Sequence, residues 1–152
     1  MAVEFNVTAA LHKFFLGEDK VLDLTIFDQD GVTPLDITGL PLEWNLKKKD
    51  KDPDPGIITK GITAGGGAST GITIVGVYNA VPATNTQKLR ITFASADTDP
   101  DVTSLLTTPY TLKAVDAHGS AVTYRHSVKR KDAGNEGILT YGDWTFKQAT
   151  ER

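Results

Sequence analysis

Short runs of alternating apolar and polar residues, each closed by a turn rich in Asp, Gly or Pro, constrain this chain most. Leu22, Leu24 and Ile26 alternate with Asp23 and Thr25, the period-two pattern of a strand with one buried face. Asp28-Gln29-Asp30-Gly31 follows. It predicts a hairpin-type turn, because Asp tolerates left-handed backbone and Gly takes it freely. The same order of strand, acidic turn and glycine returns in Tyr110–Gly119, with Asp116 in the turn.

The remaining runs read the same way. Val3, Phe5 and Val7 alternate with Glu4 and Asn6; residues 1–13 are an edge strand of the chain's own sheet or an arm that pairs with a partner. Phe14, Phe15 and Leu16 lead into a turn at Gly17-Glu18-Asp19. Leu40, Leu42, Trp44 and Leu46 form a strand that opens into an exposed loop, Lys47–Gly56. Ile57–Lys60 is a short strand, Thr63–Gly71 a flexible glycine loop, and Ile72–Val77 a strand with a polar connection running on to Gln87. Leu89, Ile91 and Phe93 carry the cleanest alternation.

Asp97–Leu106 is the one helical turn, with Asp99 as its cap and Pro100 in its first position. The Tyr110, Leu112, Ala114 strand and the Val122, Tyr124, His126, Val128 strand form a hairpin. Lys129–Asn135 is a charged loop. Ile138–Phe146 closes the series. Its apolar parity slips between Leu139, Tyr141 and Trp144, Phe146, and a bulge at Gly142-Asp143 puts all four on one face. Residues 147–152 are a polar tail. Roughly eight or nine short strands and at most one short helix predict an all-β, antiparallel β-sandwich, Ig-like or jelly-roll-like, over a single domain of residues 1–152. Leu24, Trp44, Ile91, Leu112, Tyr124 and Trp144 are the expected core between its sheets.

A chain of 152 residues buries roughly 70% of its unfolded surface and needs no staple. It has no cysteine, which removes disulfides and thiolate chemistry together. With 16 basic and 19 acidic residues its net charge is −3, without the basic excess of nucleic-acid binders. No secretory signal is evident, and no apolar run approaches the roughly 20 residues that span a bilayer.

Candidate chemistry is sparse. Gly67-Ala68-Ser69-Thr70-Gly71 fits the nucleophile-elbow pattern, but the elbow needs a strand before the serine and a helix after it. Here glycines precede and a strand follows. Asp50, Asp52 and Asp54, and again Asp97, Asp99 and Asp101, open like calcium loops. Both then place Pro55 or Val102 where the turn glycine belongs, and Gly61 or Thr108 where the bidentate glutamate belongs. His12, His118 and His126 have no ligand spacing, and His126 sits on an apolar stripe as a satisfied, partly buried histidine. The basic runs Lys47-Lys48-Lys49 and Lys129-Arg130-Lys131 lack aromatic residues for base stacking. The expectation is no catalytic residue, no cofactor, no metal, and no nucleic-acid, membrane or small-molecule partner.

The order of these signals resembles a module of tailed-phage proteins. Gly17-x-Asp19, a strand, Asp28-x-x-Gly31, Asp36-Ile37-Thr38-Gly39 and a strand carrying Trp44 come first. Ala96-Asp97-Thr98, Leu105, Leu106, the Tyr110 strand, the Asp116–Gly119 turn and a closing strand after Gly142 follow. The layout, from Phe14 to Phe146, resembles the N-terminal domain of phage baseplate upper proteins, which recurs in tail-fibre and appendage proteins. The resemblance implies a non-enzymatic virion structural protein, made in the bacterial host cytoplasm. It would bind other phage structural proteins in a symmetric assembly, as a tail, collar or baseplate adaptor or as capsid decoration. A sandwich offers edge strands for such contacts, and Val3, Phe5, Val7, Phe14 and Phe15 are the candidate partner-binding residues. The alternative is a carbohydrate-binding sandwich, for which Tyr78, Tyr124, Tyr141 and Trp144 are the available rings.

Overall fold

The structure is a computed structural model that describes residues 3–5, 15–49, 51–52, 56–98, 118, 120 and 122–146. Its strands are β1 (Val3–Glu4), β2 (Lys20–Leu24), β3 (Leu42–Lys47), β4 (Ile58–Ile62), β5 (Ile72–Val75), β6 (Lys88–Phe93), β7 (Tyr124–Arg130) and β8 (Gly137–Trp144). They form a five-stranded sheet in the order β1-β8-β7-β3-β4 and a three-stranded sheet in the order β2-β6-β5. Every pairing is antiparallel except β1 with β8, which is parallel.

The alternation of the sequence becomes the inner faces of the two sheets. Leu22 and Leu24 of β2, Leu89, Ile91 and Phe93 of β6, and Ile72 of β5 face Leu42, Trp44 and Leu46 of β3, Tyr124 and Val128 of β7, and Trp144 of β8. The sheets meet through rings. Phe93 lies edge-on to Trp44 at 5.2 Å and 5.7 Å from Trp144, while the two tryptophans are 5.1 Å apart. Such offset and edge-on pairs add attraction beyond the area they bury. Five of the six expected core residues are buried here; Leu112 lies outside the described residues. Lys60 of β4 also reaches across to the other sheet: its ammonium lies over the Phe93 ring of β6 and is 2.7 Å from Asp97, in the turn that follows β6.

The turns obey local chemistry. Asp30 accepts from the backbone N–H of Val32 and Thr33, both at 2.8 Å, and Phe27 bridges to Pro34, which closes the Asp28–Gly31 turn. Asp36 caps Thr38 in the same manner at 3.0 Å. Buried Gln87 ties that turn to β6, accepting from Ile37 N–H at 3.1 Å and donating to Thr38 Oγ1 at 2.9 Å.

Several expectations change. Lys47 is the buried end of β3, not the start of an exposed loop, because its ammonium reaches the Asp52 carbonyl at 3.0 Å. The glycine segment is a bonded return. Thr63 N–H donates to Ala68 O, Thr70 N–H to Gly61 O, and Gly65 N–H to Gly39 O. The described helical turn, α1, is Ser95–Thr98 and so starts two residues before the expected one, with Asp97 accepting from Ala94 N–H at 2.8 Å; the rest of the expected turn, residues 99–106 with Asp99 and Pro100, lies outside the described residues. The register of β7 and β8 slips at Leu139, between the Val128–Thr140 and Lys129–Ile138 pairs, and not at Gly142-Asp143. Thr140, Gly142, Trp144 and Phe146 are therefore buried, Leu139 at the slip is partly buried against the core, and Tyr141 is half-buried. The strand at Tyr110–Ala114, and with it the hairpin it was expected to form, lies outside the described residues.

Gly76, at the end of β5, shows how tightly the β5–β6 connection is built. Its φ is +77°, and a Cβ there would lie 2.1 Å from the Thr86 carbonyl oxygen. Gly134 has φ +83° with open space around it. Gly76→Ala is therefore expected to lose more than about 2 kcal/mol, strain plus clash. Gly134→Ala is expected to lose about 1 kcal/mol, strain alone. Urea unfolding of the two variants checks the difference.

Candidate functional site

Two of the proposed partner-binding residues meet at one edge of the larger sheet. β1 lies beside β8 with Val3 opposite Thr140 and Glu4 opposite Tyr141. Three polar groups hold it. The Thr140 hydroxyl donates to Val3 O at 2.5 Å, Phe5 N–H donates to Tyr141 O at 2.6 Å, and His126 Nε2 bonds Phe5 O. The Phe5 ring packs edge-on to the His126 imidazole, with centroids 6.4 Å apart. Val3 and Phe5 are each half-buried.

His126 is the pivot of this edge. It is only 2% exposed, on the inner face of β7. Trp44 Nε1–H donates to His126 Nδ1 at 3.2 Å. Nδ1 is therefore the acceptor, and the proton of the neutral ring sits on Nε2, where it is donated to Phe5 O. The imidazole also packs edge-on to Trp144 at 5.2 Å. Burial pushes its pKa down to about 4. The hydrogen bond to Phe5 and the nearby Asp143 oppose that shift, and Arg125 adds to it.

The other proposed residues are placed differently. Phe15 precedes β2 in the other sheet, and its N–H donates to Glu18 Oε1 at 3.1 Å. Val7 and Phe14 lie outside the described residues. Sequence reasoning assigned His126 to a satisfied position but did not identify it, or Thr140, as what holds β1. The available signal was a histidine in phase with Tyr124 and Val128, where an apolar residue is usual.

The remaining chemistry resolves into structural roles. Ser69 Oγ accepts from Ile72 N–H at 3.0 Å and donates to Ile72 O, so its hydroxyl closes the turn into β5. Asp52 accepts from Lys49 N–H at 3.0 Å; Asp50, Asp54, Asp99 and Asp101 lie outside the described residues. Among the described residues no three His, Asp or Glu side chains come together as a metal site. Of the four rings considered for sugar binding, Tyr124 and Trp144 are core residues. Tyr78 bonds Pro34 O at 3.2 Å, and Tyr141 lies under the Arg125 guanidinium.

No family model matches this chain, and no curated protein or solved structure matches it significantly.

Proposed function

We propose that this chain is a non-enzymatic structural protein of a tailed-phage particle, which binds other virion proteins through the edges of its sandwich. The observation that carries the reading is the edge itself. The larger sheet ends in a two-residue parallel strand, β1, attached through main-chain bonds and the side chains of Thr140 and His126. A strand docked in this way joins by augmentation, the mode by which sandwiches recruit extended segments. The order of turns from Gly17 to Gly142 supports the phage assignment. It resembles the baseplate upper module, and its Asp28–Gly31 and Asp36–Gly39 turns are built on aspartate caps. In this reading the protein is made in the bacterial cytoplasm and resides in the virion as a tail, collar, baseplate or capsid-decorating part.

Quantitative mass spectrometry of gradient-purified virions tests it. Copies approaching the number of the major capsid protein identify a head decoration protein. A small number of copies identifies a tail, collar or baseplate part. Absence from the particle overturns the proposal.

A further inference from the structure

We infer that the slot on β8 takes the β1 segment of a second copy of this chain, so that neighbouring copies are joined by exchanged first strands. The inference rests on the assembly reading above and names its partner.

The slot is built without β1. Trp44 Nε1–H holds His126 from one side, and the Trp144 ring packs against it from another. Thr140 is set by its pairing with Val128 of β7. These groups belong to β3, β7 and β8, which lie side by side in the sheet with β7 between the other two. The slot nevertheless requires an occupant. His126 Nε2–H is buried and bonds Phe5 O, and a buried donor left without an acceptor is strongly disfavoured. The β8 main chain would likewise become a bare sheet edge.

Nothing in the topology requires that the occupant come from the same chain. β1 and β8 are the first and last of the described strands and pair in parallel, so β1 is joined to the rest of the fold only through the segment that follows it. Segment 6–14 leads from Phe5 back to Phe15, and fully extended it spans about 30 Å. The bonds that seat β1 engage two carbonyls, one N–H and one phenylalanine ring. Val3–Phe5 of another copy offers the same groups in the same register, so every contact is conserved on exchange. This is the condition under which swapping an identical element joins protomers at little cost.

The chain has no cysteine, so introduced thiols report on β1 alone. Glu4 and Tyr141 are register partners, at the strand spacing a disulfide can bridge. Glu4→Cys and Tyr141→Cys are made as two separate full-length variants, unfolded together in urea, refolded as a concentrated mixture and oxidised. The expected product is a covalent dimer containing one copy of each variant. The Glu4→Cys/Tyr141→Cys double variant is expected to crosslink between chains under the same conditions. No mixed dimer, with the double variant closing only within its own chain, overturns the exchange.

Light scattering of the unaltered chain, refolded at the same concentration, keeps the test independent of the substitutions. A dimer or larger species that survives dilution is expected, and monomer throughout overturns the exchange. An oligomer in a mixture that gives no mixed disulfide means a different interface and also overturns it. A monomeric protein that is still found in virions rejects the exchange while leaving the virion reading intact.

Discussion

Trp44→Ala is expected to cost about 4 kcal/mol of folding stability, in the range for emptying a buried aromatic site. Whole domains of this kind are stable by roughly 5–15 kcal/mol, so the variant sits near the threshold of folding. Trp44 is fully buried and touches both sheets, through Phe93 on one side and Trp144 on its own. Its removal leaves a cavity where the layers meet through rings, and neither sheet can close over it without moving the other. The indole N–H is a separate contribution, because it supplies the bond to His126 Nδ1. Trp44→Phe keeps a ring and loses that bond, so about 1–2 kcal/mol is expected. Urea denaturation of both variants separates volume from hydrogen bonding. Equal losses for Ala and Phe would show that the cavity is not what matters.

The second large effect is in pH. His126 titrates near 6.5 when unfolded and is held down to about 4 by burial when folded. Between these values the unfolded chain binds the extra proton, so stability falls as pH falls. The contribution is complete above about pH 6.5, is lost progressively toward pH 4, and changes no further below that; the total is about 3 kcal/mol. The proton would go onto Nδ1, which faces the Trp44 N–H, so two donors would then oppose each other in a buried site.

The carboxylates act in a different window. Asp23 is held low by its hydrogen bonds to Arg90, and Asp36 by those to Thr38. Any stability they contribute is lost below about pH 4. Urea midpoints from pH 7 to pH 4.5 therefore report mainly on the histidine. His126→Gln should flatten the slope over that range, and an unchanged slope would assign the effect to another group.

Much of the sandwich was legible because a strand with one buried face writes its period directly into the chain. Leu22, Leu24, Leu89, Ile91 and Phe93 point inward for the reason their spacing implies. The Asp28–Gly31 and Asp36–Gly39 turns follow from aspartate side chains bonding the backbone two or three residues on, a contact wholly within the local sequence.

The candidate site was only partly legible. Val3 and Phe5 declared a strand, but the alternation of a terminal segment does not say which edge it joins or in which direction. The parallel pairing of residues 3 and 140 depends on how the sheet closes, which no local pattern encodes. The bulge at Leu139 was misplaced for the same reason. Parity within β8 is ambiguous by itself, and only the register against Val128 and Lys129 locates the extra residue.

The sequence by itself determined the fold class, the position of most strands and the identity of most core residues. These follow from periodicity and turn chemistry, which act over a few residues. Only the tertiary structure decided that a histidine in the aromatic core is neutral, that its Nε2–H is donated to a carbonyl far away in the chain, and that the first strand is fastened there. A histidine's proton is set by burial and by the partner of each ring nitrogen, and those partners, Trp44 and Phe5, come together only when the sheets have formed.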